Sequence, residues 1–328
     1  MRTDVAKAGT NKMVSGGPPT SSTPSEPKTL VSSAVGRPAP LPISLARALR
    51  PKQWLKNLLV FAAPGAAGVL SQGPVLARSA LAFVAFCLVA SCLYLVNDVV
   101  DAPFDRLHPV KRNRPVAAGT ISSRTALVAA AGLLVAGEAL GARLGYLFIV
   151  VLSAYAVIAL AYSLALKRVL VVDIVAVAAG FVLRAVAGGA ATGVPNSRWF
   201  LLLVSFGAVF VVTGKRYADL HVTRAPAPTD RGAAHYSRSF LRFLALVASA
   251  ATMASYVLWV FSAHARAYGL LIPLSAVPFA LAISRYTFLV EIKQGGAPED
   301  LFTRDRPLLF TMLAWLAVYA SGIYLASG

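Results

Sequence analysis

Acidic residues are scarce in this 328-residue chain, with 13 Asp and Glu against 31 Lys and Arg. Charged residues of both signs make up only 13 % of the sequence, too few to coat a soluble domain of this length. Histidine is rarer still. The four present sit in no Ser/His/Asp or metal-ligand arrangement, so nothing supports triad hydrolysis or a zinc centre. The two cysteines, Cys87 and Cys92, lie five apart in one apolar run, a spacing that suits neither a disulfide nor a metal, and they read as packing residues. Residues 1–42 hold no apolar run and no signal-peptide core, but seven of the twenty prolines with many Ser, Thr and Gly. Nothing there repays the entropy of ordering, so this stretch reads as a disordered cytoplasmic tail ahead of a membrane domain at 43–328.

What the chain has in abundance is apolar sequence: 57 % of its residues, with a mean hydropathy of +0.68. Runs of about 20 such residues match the thickness of a bilayer core in helical form. They fall near 57–72, 79–97, 125–141, 145–163, 169–188, 199–214, 240–262, 267–284 and 308–326. The fold class expected is therefore all-α and integral to the membrane, with about nine transmembrane helices. The first run is short and broken by Pro64 and Gly65. Sorting the cations by connection gives twenty-one Lys and Arg on one side and four on the other, Arg78, Arg143, Arg198 and Arg266. The positive-inside rule then puts the N-terminus in the cytoplasm and the C-terminus outside. The basic excess is accounted for by topology and anionic ligands, and no nucleic-acid partner is implied.

Most carboxylates fall on that same cytoplasmic side. The sharpest group is Asn97-Asp98-Val-Val-Asp101-Ala-Pro-Phe-Asp105 at the end of the second run. In a continuous helix its three aspartates lie at i, i+3 and i+7 on one face, although Pro103 should kink or interrupt that helix. Carboxylates this close repel one another unless a cation sits among them, and acidic groups at a helix C-terminus oppose the macrodipole. Hard oxygen ligands bridging to phosphate are how Mg²⁺ is usually held. The cations of His108-Pro-Val-Lys111-Arg112-Asn113-Arg114 follow directly, as a diphosphate-bearing substrate requires. Further along come Tyr162-Ser-Leu-Ala-Leu-Lys167-Arg168, then Asp173, and then Lys215-Arg216-Tyr217-Ala218-Asp219. Arg184, about 16 Å beyond Asp173 along a helix, either snorkels to the interface or points into a cavity.

These residues resemble the UbiA superfamily of membrane prenyltransferases. The pattern Asn-Asp-x-x-Asp-x-x-x-Asp is matched at Asn97, Asp98, Asp101 and Asp105, and the likeness runs over roughly 45–326. It implies helices around a central cavity open to the cytoplasm, with Mg²⁺ on those four residues bridging to a diphosphate. The family's second motif, Asp-x-x-x-Asp, here begins with Lys215 in place of its first carboxylate. That departure, with Arg-Pro-Lys-Gln-Trp-Leu-Lys-Asn at 50–57, is similar to the branch of decaprenyl-phosphate phosphoribosyltransferases. The resemblance implies transfer of 5-phosphoribose from phosphoribosyl pyrophosphate to a polyprenyl phosphate lipid at the plasma membrane, for cell-wall arabinan synthesis. Asp98, Asp101 and Asp105 would be catalytic. Lys56, Asn97, Lys111, Arg112, Tyr162, Lys167, Lys215, Arg216 and Asp219 would bind substrates. The alternatives are a prenyltransferase with a prenyl diphosphate and an aromatic acceptor or, more remotely, a transporter; a homo-oligomer is left open.

Overall fold

A computed structural model describes residues 40–222, 236–262, 269–292 and 305–326. Most of the expected tail, residues 1–39, lies outside them. The described residues form helices and connections, with no strand among them. The helices are α1 (Leu41–Ala48), α2 (Ala62–Ala66), α3 (Gly73–Asp105), α4 (Ser123–Ala142), α5 (Tyr146–Leu164) and α6 (Val172–Thr192). After them come α7 (Arg198–Val222), α8 (Arg238–Val260), α9 (Leu271–Glu291, interrupted at Ser275) and α10 (Arg306–Ala326). From α3 onward, eight of these are long and apolar enough to cross a bilayer, and they match the second to ninth expected runs. From α3 onward each helix packs on the next in sequence, α2 packs on α6, and Tyr319 of α10 donates to the Ala66 carbonyl at 3.0 Å.

The first expected span takes a different form. Instead of one α-helix over 57–72, Pro51–Phe61 is a 3₁₀ helix that leads into the short α2. At about 2.0 Å rise per residue, then about 1.5 Å in α2, the two together cover close to 30 Å, the thickness of a hydrocarbon core. Their contacts run antiparallel to α3. The Trp54 indole donates to Ser91 at 3.1 Å, Asn57 donates to the Cys87 sulfur at 3.2 Å, and Phe61 packs on Phe83. The segment thus has the reach of a hydrocarbon core, in a tighter and longer coil than an α-helix, while eight helices among the described residues qualify as spans by length and composition. Its three residues per turn place Trp54, Asn57 and Val60 in one inward row, while Lys52, Leu55 and Leu58 stay exposed. Pro64 contributes to the arrangement, because it has no N–H to offer the Val60 carbonyl four residues back. That carbonyl instead lies against Gly188 of α6, where a Cβ would come within 2.0 Å of it.

Arg184 resolves into a buried clamp. It is 5 % exposed and donates to Asn57 Oδ1 at 2.7 Å, the Gly180 carbonyl at 2.7 Å and Tyr155 Oη at 2.8 Å. Its guanidinium also lies 4.5 Å from the centre of the Tyr155 ring. No carboxylate pairs with it among the described residues. Neutral acceptors and an aromatic face satisfy the cation, and it ties the 3₁₀ segment to α5 and α6. Arg184→Met removes all three bonds and is expected to cost on the order of 3 kcal/mol. Thermal unfolding in detergent should show a clear fall in Tm, with Asn57→Leu added on top costing little more. An unchanged Tm would mean that the clamp carries no stability.

Candidate active site

Helix α3 carries the acidic motif without a break. Pro103 lies two residues from its end, and the carbonyl it leaves unpaired, that of Val99, falls just one turn before the helix's own orphans. The expected interruption is absent and the i, i+3, i+7 face survives. The three carboxylates divide across it. Asp98 and Asp105 are buried, whereas Asp101 is partly exposed and turned toward α5.

Each carboxylate has a cation from another segment. Arg50, in the bend before the 3₁₀ helix, pairs with Asp98 at 2.5 Å and lies over the Tyr94 ring. Arg114, beyond the turn at Lys111–Asn113, meets Asp105 at 2.7 Å and Asp98 at 3.5 Å. Lys167, in the turn after α5, meets Asp101 at 2.6 Å, and Asn97 donates to the same side chain at 3.0 Å. Asp98 Oδ2 is left buried with no hydrogen-bond partner.

A second cluster adjoins the first across the last turn of α5. There the Tyr162 hydroxyl accepts from Arg216 at 2.9 Å, and Arg216 meets the buried Asp173 at 3.2 Å. Tyr236 donates its hydroxyl proton to Asp173 and accepts the Val171 N–H at 2.6 Å. Burial, and after it the bond to Asp173, push the Tyr236 phenol up to about 12, so it stays a neutral donor throughout the physiological range. Lys215 reaches one helical turn forward to Asp219 at 3.0 Å. Two residues other than glycine have positive φ among the described residues, Arg50 at 52° and Val171 at 69°. Such backbone costs about 1–2 kcal/mol and persists where the surroundings over-determine it. Here one of the two carries the partner of Asp98, and the other precedes Asp173 by two residues.

Of the residues read from the sequence, Asn97, Asp98, Asp101, Asp105 and Lys167 come together in the first cluster, with Tyr162 and Arg216 in the second and Lys215 with Asp219 beside it. Lys56 bonds instead to Gln53 on its own segment at 2.5 Å. Lys111 and Arg112 stand on the turn after α3, where His108 Nδ1 accepts the N–H groups of Val110 and Lys111 at 3.1 Å. Arg114 and Arg50 stood within the quoted motifs at 108–114 and 50–57 but were given no partner, and Tyr236 was not singled out. Arg50 lies 48 positions from its partner and Tyr236 lies 63 from Asp173, and no local spacing announces such pairs. As they stand, no three carboxylate, His or Cys side chains among the described residues are gathered tightly enough to hold a metal ion. The donor set nevertheless fits Mg²⁺. It consists of hard carboxylate oxygens, and one of them, Asp98 Oδ2, is buried with nothing bonded to it.

A model of the UbiA prenyltransferase family matches residues 58–315. The chain belongs to that family. Among its relatives, the decaprenyl-phosphate phosphoribosyltransferase of Mycobacterium tuberculosis H37Rv is 41 % identical over 291 residues, covering 87 % of this chain and 96 % of that protein. The enzyme of the same name from Mycolicibacterium smegmatis is 39 % identical over 303 residues, 88 % of this chain and 95 % of that one. Among solved structures, a UbiA homolog from Archaeoglobus fulgidus bound to GPP and Mg²⁺ superposes with a TM-score of 0.67 at 19 % identity. The match covers 86 % of this chain and 99 % of that one and establishes a shared fold.

Proposed function

We propose that the chain moves 5-phosphoribose from phosphoribosyl pyrophosphate to a decaprenyl or similar polyprenyl phosphate, with release of diphosphate. The observation that carries the reading is Lys215, a cation where a second metal-binding motif would open with a carboxylate, in a chain about 40 % identical to relatives of that name. With Lys215 bound to Asp219, the second cluster has the makings of a phosphate site: Lys215, Arg216 and the Tyr162 hydroxyl. Asp98, Asp101 and Asp105, with Asn97, would hold Mg²⁺. When bound, that ion supplies charge neutralisation for the leaving diphosphate. The rest of the chemistry rests on the chain's own groups. Arg50, Arg114 and Lys167 bind phosphate oxygens, and Arg216, fixed between Tyr162 and Asp173, orients a second anionic group. The acceptor phosphate is already ionised, so attack at C1 needs no strong base and positioning dominates. Lys and Arg concentrate at the end of the bundle that carries these clusters, which supports a cytoplasmic active site and N-terminus with the C-terminus outside.

The reading is tested with purified protein in detergent, phosphoribosyl pyrophosphate, Mg²⁺ and decaprenyl phosphate, with mass spectrometry of the lipid. A phosphoribosylated lipid is expected, absent with EDTA and in Asp101→Asn. If the protein instead consumes a prenyl diphosphate with an aromatic acceptor, Lys215 has been over-read and the ordinary family reaction holds.

A further inference from the structure

Two of the three ion pairs of the first cluster are arranged in depth, whereas in the third Lys167, at 14 % exposure, is more buried than Asp101 at 26 %. The side chains of Asp98 and Asp105 are 1 % and 6 % exposed, whereas Arg50 and Arg114 are 26 % and 25 % exposed. A ligand entering from that end meets guanidinium groups before it meets those carboxylates. Three carboxylates face three cations, so the cluster is neutral as it stands. None of the three cations belongs to α3. They come from the bend before the 3₁₀ segment, the connection after α3 and the turn after α5, so each can move without disturbing the helix that holds the acids.

We infer that Arg50, Arg114 and Lys167 are exchangeable counter-ions, which neutralise the aspartates while no metal is bound and pass to phosphate oxygens when a metal–diphosphate enters. This rests on the reading of the acidic motif as the metal–diphosphate site, and its consequence is that metal and diphosphate bind as a unit. A divalent ion arriving alone must displace a cation from a carboxylate and leave it uncompensated in a low-dielectric setting, which is unfavourable. A diphosphate arriving with the metal supplies the acceptors for the displaced groups, and the guanidinium fork matches its oxygens as well as it matched a carboxylate. The left-handed backbone at Arg50 holds its side chain at this crossing point between the acids and the opening.

The test uses Mn²⁺ as an EPR-visible metal and inorganic pyrophosphate as the leaving group, with the full chain in detergent. Wild-type protein should bind Mn²⁺ weakly alone and on the order of ten-fold or more tightly with pyrophosphate, the metal strengthening pyrophosphate by the same factor. In Arg50→Gln, Mn²⁺ alone should bind about ten-fold more tightly while the enhancement by pyrophosphate shrinks. Arg50→Lys should restore both values in part. Lys167→Met should shift both in the same direction and serves if the first variant folds poorly. Mn²⁺ affinity that is unchanged or weaker in both folded variants overturns the exchange and leaves the cations a structural role. Wild-type protein that binds no Mn²⁺ even with pyrophosphate overturns the acidic site itself, a failure distinct from the first.

Discussion

Asp98→Asn should lower turnover by roughly three orders of magnitude while the protein still folds. The substitution keeps the shape of a side chain that is 1 % exposed and removes the charge next to Arg50 and Arg114. Arg50 and Arg114 are each about a quarter exposed and Arg114 keeps Asp105, so losing the Asp98 charge leaves neither guanidinium fully buried and unpaired. What disappears is the buried negative charge, and with it one hard ligand among three. Losing a preorganised electrostatic group at a site of developing charge typically costs about 3–4 kcal/mol in the barrier, hence the magnitude. Single-turnover rates across a Mg²⁺ titration are the measurement. Both a slower limiting rate and a higher half-saturating Mg²⁺ are expected, and wild-type behaviour in both would remove Asp98 from the site.

Gly188→Ala is expected to be the most damaging single methyl in the bundle. In an ordinary helix interior, alanine is favoured over glycine by about 0.5–1 kcal/mol. Here the new Cβ would lie 2.0 Å from the Val60 carbonyl oxygen and 2.9 Å from its carbon, both backbone atoms that no rotamer change can move. The 3₁₀ segment must back away from α6 by more than an ångström. That pulls Asn57 from Arg184 and disturbs Arg50 at the segment's start, so the cost should exceed the usual ~1–3 kcal/mol of overpacking. Gly132→Ala in α4 is the control, since nothing lies within 4 Å of its Cβ position and it should be neutral or stabilising. Thermal unfolding and yield in detergent compare the two. Equal stability of both variants would sink the argument for close backbone contact.

Hydropathy located eight of the spans because, for a regular helix, a count of apolar residues is also a measure of length. It misread the first for the same reason: residues 51–61 gain reach from a larger rise per residue, which no apolar count records. The two rows of that segment, Lys52, Leu55 and Leu58 outside and Trp54, Asn57 and Val60 inside, each hold one polar and two apolar residues, so hydropathy could not separate them. The acidic motif was legible because all its members lie on one helix, and the pair Lys215 and Asp219 because they are one turn apart. The pairs of Arg50 with Asp98 and of Tyr236 with Asp173 depend on which helices become neighbours, and that is decided by packing. Arg184 could be placed at membrane depth from its position, but its partners Asn57 and Tyr155 lie on two other elements.

The period of three also governs how the chain between Arg50 and Ala62 can change in length. One inserted residue rotates everything beyond it by about 120°, turning the inward row toward lipid. Three inserted residues restore the phase but lengthen the coil by about 6 Å, which separates Arg50 from Asp98 if Val60 stays on Gly188. No insertion meets both conditions, so this stretch admits substitutions along its lipid face and no change in its number of residues.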